Sequence, residues 1–374
     1  GVNCSALLTS CCVIVSVTVK SNTDLLVSIV YSPKLLNTII ESFYQKVNQN
    51  MKIYADNSVC EYQLKELGFD QFTDLDHCNL AVFQTSFDDN AQLGSKINAI
   101  DKPVIILSSE LNTKIVSFIE QNQNPRIKYF ICGSIADIDT HPWLDWFQHT
   151  VNFYKNKSVK ILDQLTPYQV KDKYFDILLG RPKPHRDYIY NYVNQNKLIN
   201  KVMMTYLHSW LPVKQQGVWP VDIPDNIYNT ITQVNYNGVN CTLSQIIHPD
   251  IYNETAYSVI AETNADNRFN FYTEKTVKPI LAERLFIAFC GKHWLRNLRS
   301  FGFKTFDGII DESYDNCEND NNRFYMAGRE MKRLIEEVPQ GKILKEIQPI
   351  TEHNKKVMLE TNWAEELSKV IQAL

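Results

Sequence analysis

The sequence predicts an α/β protein of two tandem Rossmann-like domains with a cleft between them. Short apolar, β-branched runs alternate with segments of helical spacing through the first half of the chain, the pattern of a parallel sheet wound on both sides. The alternation restarts after residue 165. The length, 374 residues, exceeds what one ordinary core organises. The expected division is one Rossmann-like domain over 1–165, a second over 166–352, and a C-terminal helix over 353–374 that packs back toward the first domain.

In chain order, "LLVSIVYS" (25–32) reads as a buried strand and "PKLLNTIIESFYQKV" after it as a helix. "MKIYAD" (51–56), "NLAVFQTS" (79–86), "KPVIILSSE" (102–110) and "IKYFICGS" (127–134) are further strands, with "EYQLKELGF" and "TKIVSFIEQN" as helices between them. No GxGxxG follows any of these strands, so the nicotinamide fingerprint is missing. In the second half "YFDILLG", "KVMMTYL", "AYSVIAET", "LFIAFCG" and "FKTFDGII" read as strands, and "HRDYIYNYV" as a helix after a proline-rich loop. Residues 208–252 read as irregular, and "NNRFYMAGREMKRLIEEV" and "EHNKKVMLETNWAEELSKVIQAL" as two closing helices.

Composition narrows the class. Hydrophobic content of 44% with 21% charged residues is that of a globular protein, not a disordered one. A net charge of −4 argues against a broad nucleic-acid footprint. Nine cysteines without a CxxC spacing fit a reducing, cytoplasmic setting better than a disulfide framework, and Cys78 beside His77 reads as core or loop. The first 22 residues are too short and too polar to span a bilayer; a degraded signal peptide is the alternative reading. Sequons at Asn3, Asn156, Asn240 and Asn253 are what chance gives in an Asn-rich chain.

Ligands of such folds bind outside the carboxyl ends of the strands, which selects three loops. In "NFYTEK" (270–275), Thr273 is a good N-cap and Glu274 suits the first helical turn, where a cation does not. Lys275 at that helix start therefore reads either as a surface charge or as half of a phosphate grip, with Glu274 accepting from ribose hydroxyls. "GRPKPHR" puts Arg181, Lys183, His185 and Arg186 between a strand and a helix: a solvated basic loop or a diphosphate clamp. "AETNADN" offers Asn264 and Asn267 as loop caps or as ligand-facing amides.

"AETNADNRFNFYTEKTVKPILAERLFIAFCG" resembles the donor-binding signature of the α-1,3-fucosyltransferases of the family-10 type. "RPKPHRDYIYNYV" is similar to that family's upstream segment, and "FGFKTFDGIIDESYD" to a block of viral and bacterial relatives. The matched segments cover about a third of the chain, all in its second half. The resemblance implies a GT-B enzyme, its acceptor side in the domain over 1–165 and its nucleotide-sugar donor side in that over 166–352, that inverts configuration without a metal, uses a nucleoside-diphosphate sugar, typically a GDP-sugar, and has fucose among its candidate sugars. It implies that Glu274 holds the ribose, Lys275 and Arg186 the diphosphate, and that Asn264 and Tyr272 line the donor pocket, with Arg181 and Lys183 beside them. The chain reads ETN where the family has ENS, and Pro279 falls inside the helix, where a kink is expected.

An inverting transfer needs a carboxylate to take the acceptor hydroxyl's proton. Glu110, ending "VIILSSE" at a strand's carboxyl end and similar to an ESP-type turn of that family, is the first candidate; Asp88 and Asp89 in "SFDDN" compete with it. The expected partners are the nucleotide sugar and a glycan or other hydroxyl acceptor. The alternatives are a metal-dependent transferase using the DxD of Asp137 and Asp139, a transferase acting on DNA bases, and a non-catalytic nucleotide-sugar-binding or structural protein. Asp311, Glu312 and Asp315 in "IIDESYD" read as a packing loop more readily than as a metal site.

Overall fold

The computed structural model describes residues 2–9, 12–19, 25–31, 51–85, 90–206 and 233–374. Strands β1 (Val2–Thr9), β2 (Cys12–Val19) and β3 (Leu25–Tyr31) form an antiparallel three-stranded sheet. The run at 25–32, expected as a member of the parallel sheet, is thus the last strand of a meander. Two residues separate β1 from β2 and five separate β2 from β3, and such short connections allow only antiparallel pairing. The helix expected over 33–47 lies outside the described residues.

The alternation read from 51 onward is present. β4 (Ile53–Ala55), α1 (Ser58–Glu66), β5 (Leu80–Gln84), α2 (Asn90–Asn98), β6 (Val104–Ser108), α3 (Thr113–Gln121) and β7 (Ile127–Ile131) follow one another, then β8 (Gly133–Ile135), β9 (His141–Pro142) and α4 (Asp145–Lys155). A five-stranded sheet has the order β4-β5-β6-β7-β9, parallel where β4 meets β5 and where β7 meets β9. Asn57 and Asn112 cap α1 and α3, each accepting from two backbone N–H groups.

A second parallel sheet is built from β10 (Lys173–Leu179), β11 (Val202–Tyr206), β14 (Thr255–Ile260) and β16 (Phe286–Ala288) in the order β11-β10-β14-β16. Helix α5 (Pro184–Gln195) connects β10 to β11. Within the stretch read as irregular, β12 (Gln233–Tyr236) and β13 (Val239–Thr242) form a hairpin, followed by helix α6 (Pro249–Glu254). The hairpin signal is Asn237-Gly238, whose φ values of 50° and 83° suit a two-residue turn with both residues left-handed. Then come β15 (Phe269–Phe271), paired with β8, and α7 (Glu274–Leu281), which leads to β16.

Helices α8 (Trp294–Ser300), α9 (Asp320–Glu336), α10 (Gln340–Glu360) and α11 (Glu365–Ala373) complete the described chain. "FKTFDGII" is not a strand: Phe303, Phe306 and Ile310 are buried, but the backbone turns at Gly308 with φ 85°. The single closing helix expected over 353–374 is two helices, broken where Trp363 turns into the core and stacks on Phe303 at 5.6 Å.

The chain divides into two compact units, Gly1–Gln84 with Ile100–Ile105 and Ser368–Leu374, and Thr85–Ala99 with Ile106–Leu367. The second unit's core gathers Phe175 and Ile177 of β10, Tyr257 of β14, Phe286 of β16 and Leu281 of α7. No helix among the described residues is long and apolar enough to cross a membrane.

Candidate functional site

The order β11-β10-β14-β16 makes the boundary between β10 and β14 the place where the chain's path reverses. β10 connects outward to β11 on one side, and β14 connects outward to β16 on the other. Connections leaving in opposite directions open a crevice at the strands' carboxyl ends. Three segments meet there: "GRPKP" after β10, "AETNADN" after β14, and the first turn of α7.

Their common anchor is Glu262, with no exposed surface. Its carboxylate accepts from Thr273 N at 3.0 Å, Thr273 Oγ1 at 2.7 Å, Thr276 Oγ1 at 2.5 Å and Thr263 N at 3.1 Å. Its main-chain carbonyl accepts from His185 Nε2 at 2.9 Å and an Arg186 terminal nitrogen at 3.0 Å. A carbonyl can only accept, so His185 carries its proton on Nε2. Burial, with the Arg186 guanidinium alongside, pushes His185 down to about 3, so the ring is neutral. Burial pushes the Glu262 carboxyl up against the opposing pull of Lys275.

Two ammonium groups bracket Thr263. Lys183 Nζ donates to its carbonyl at 2.5 Å and to Asn264 Oδ1 at 2.7 Å. Lys275 Nζ donates to its hydroxyl at 3.1 Å and to Glu274 Oε1 at 2.5 Å. Burial would raise the enclosed Glu274 carboxyl, but Lys275 and Lys278 outweigh it and hold the group below the ordinary range. Burial and the neighbouring Arg186 push Lys183 down to about 8. Glu110, in the loop after β6, faces the same cations. Burial lifts it to about 7, Lys275 and Lys183 oppose the lift, and Glu274 and Glu262 add to it. Its carboxylate forms no hydrogen bond or ion pair with any described residue.

Glu110, Lys183, Asn264, Glu274 and Lys275 therefore share one location. Arg186 is there too, but turned inward: it is 4% exposed, and its terminal nitrogens donate to the Arg181 and Glu262 carbonyls at 3.0 Å each. Its Nε, also buried, has no partner among the described residues. Arg186, expected to grip a diphosphate directly, in this arrangement uses both terminal nitrogens on main-chain carbonyls. Arg181 is exposed and contributes its carbonyl.

Tyr272 does not line an opening. It is fully buried, and its hydroxyl donates to the Trp294 carbonyl at 2.8 Å, because an aromatic β-run beside α7 serves the core first. Asn267 ties loops together, donating to the Glu318 carbonyl and Asp320 and accepting from Lys292 N. Asp88 and Asp89 lie outside the described residues. Asp137 and Asp139 are exposed between β8 and β9, Asp137 in a turn with φ 60°. In "IIDESYD", Glu312 pairs with Arg299 and accepts from Phe306 N, and Asp315 accepts from Leu295 N and Arg296 N, as a packing loop does. Among the described residues no group of three or more His, Cys, Asp or Glu side chains could hold a metal ion.

Sequence reasoning missed Glu262, Thr263 and Thr276. The available signal was a glutamate ending an apolar strand, with threonines at 273 and 276 at a helix start. Lys278, one turn into α7, was missed as well. Burial, opposed by the attraction of Glu274, pushes it down to about 8. No protein-family model matches the chain, and no curated protein matches it. Fold and site together define an α/β protein with parallel sheets and a mixed-charge constellation at a switch point.

Proposed function

We propose that this chain is an inverting, metal-independent glycosyltransferase, moving a sugar from a nucleoside-diphosphate donor, a GDP-sugar before others, to a hydroxyl acceptor. The observation that carries this reading is a carboxyl titrating near neutrality beside two ammonium groups at the switch point of a parallel sheet. In such a transfer the bond from the anomeric carbon to the diphosphate breaks as the acceptor oxygen attacks the opposite face. The acceptor's proton passes to a base, and negative charge grows on the leaving phosphate. In this reading Lys183, Lys275 and the first turn of α7 offset that charge.

Glu110 is the base in this reading. A carboxyl with a pKa of about 7 is ionised in half of the molecules at pH 7, and it accepts a proton more readily than an ordinary glutamate. The diphosphate would take Lys275 in exchange for part of its contact with Glu274, leaving Glu274 free to accept from ribose hydroxyls.

A thermal-shift screen against GDP-, UDP- and CMP-sugars, followed by a transfer assay, tests the reading. A donor at a hundred times its dissociation constant adds about 2.7 kcal/mol to stability, which the screen detects. Lys275→Ala should abolish the shift. Glu110→Gln should keep it and lower the turnover number by about 10²- to 10⁴-fold. Failure of every nucleotide sugar to stabilise the protein sinks the proposal. Binding without transfer would leave a nucleotide-sugar-binding protein.

A further inference from the structure

We propose that Asn264 is a positioning residue, a strut that holds the Glu110 loop against the turn after β14, and not a contact to the donor; this rests on the transferase reading of the same site. Both ends of its amide are engaged. Oδ1 accepts from Lys183 Nζ at 2.7 Å, and Nδ2 donates to the Leu111 carbonyl at 2.7 Å. One side chain thereby joins the cation that faces Glu110 to the backbone next to Glu110.

The loop needs such a tie. It leaves β6 at Ser108 and enters α3 only at Thr113, so the carbonyls of Ser109, Glu110 and Leu111 have no sheet or helix partner among the described residues, while that of Asn112 accepts from Val116 N. Side chains supply the donors in succession. Trp146 Nε1 donates to the Ser109 carbonyl at 2.8 Å, Ser108 Oγ to the Glu110 carbonyl at 2.6 Å, and Asn264 Nδ2 to the Leu111 carbonyl. Of these donors only Asn264 comes from the turn that also holds the two lysines. A shift of about 1 Å in a reacting group can lower a rate a hundredfold, so a base on a loop requires this kind of fixing.

The groups facing Glu110 are Lys275 and Glu274 from α7, Lys183 from the loop after β10, Glu262 from the turn after β14, and Cys132 from the residue after β7. Burial is the largest influence on the Glu110 carboxyl and outweighs the lysines. Removing the strut lets water reach the loop, which lowers the carboxyl's titration midpoint toward the ordinary value.

The test uses the full chain with ¹³C-labelled glutamate carboxyls. The Glu110 signal is assigned by its loss in Glu110→Gln and titrated in wild type, Asn264→Ala and Asn264→Leu. The leucine is close to asparagine in size, adds no charge and cannot donate to Leu111, so it breaks the strut without a new neighbour charge and serves if the alanine variant fails to fold. The strut predicts a lower midpoint in each folded variant, and a turnover number reduced about ten- to a hundredfold with the donor KM within about twofold of wild type. An unmoved midpoint overturns it whatever the activity. So does a donor KM raised tenfold or more with turnover retained, the signature of a lost donor contact. The titration needs no substrate: a moved midpoint in a chain that transfers no sugar removes the transferase reading and leaves the strut standing.

Discussion

Glu110 combines a loop position, a carboxylate without a hydrogen-bond partner among the described residues, and two cationic neighbours. Its effect on stability has a definite sign. The folded carboxyl titrates at about 7 against an ordinary value of 4.5, so between these pH values the folded chain binds more protons than the unfolded one. Stability must then fall as pH rises through that window, with the full deficit present above 7. After allowance for partial solvent access the deficit is about 1 to 3 kcal/mol. Glu110→Gln should therefore melt higher than wild type at pH 8 and close to it at pH 4, as scanning calorimetry would record. A gap that is the same at both pH values would contradict the raised carboxyl. Glu110 was legible in the sequence because a glutamate ending an apolar strand falls on the ligand-binding rim. Its cationic neighbours were legible only as separate loops.

Helix α7 is the element on which the site turns. Its N-cap Thr273 uses its hydroxyl twice, accepting from Lys275 N and donating to Glu262. Thr276 donates to the other Glu262 oxygen. The start of the helix is thus fastened to a buried carboxylate, which leaves Lys275 and Glu274 in a defined geometry. Thr276→Val should destabilise the protein by about 1 to 3 kcal/mol, since it removes a hydrogen bond to a buried charged group. Denaturant unfolding would measure the loss, and an unchanged midpoint would show that Glu262 is held by its other donors alone. Pro279 lies in the sixth position of this eight-residue helix, which runs two residues past it. The proline lacks one donor, and a helix this short forgoes a single intrahelical bond there.

At the scale of the molecule, two parallel sheets and a separate antiparallel meander make a mixed α/β architecture. The site residues with known placement, from Glu110 to Lys275, all belong to the second compact unit. The cations at that site are lysines beside a helix start, and Asp137 and Asp139 are exposed between β8 and β9. On the proposed transferase reading, transfer should proceed at the same rate in EDTA as in magnesium. Loss of activity in EDTA, restored by a divalent ion, would transfer the chemistry to a metal-dependent reading.

The sequence by itself determined the strands at 51–56, 79–86, 102–110 and 127–134, the helices of "EYQLKELGF" and "TKIVSFIEQN", the capped start of α7, and the rim on which ligand-binding loops should fall. These are local properties: the period of apolar residues, a side chain that satisfies a free N–H, and a strand's end are each written within a few neighbouring positions. Only the tertiary structure decided that Glu262 is a buried anchor, that Arg186 turns inward onto carbonyls, that Tyr272 belongs to the core, and that Asn264 joins Lys183 to the Glu110 loop. A charged or amide side chain takes whichever donor or acceptor the fold brings within reach. Burial sets how strongly it must do so, and neither quantity has a period that a linear pattern can display.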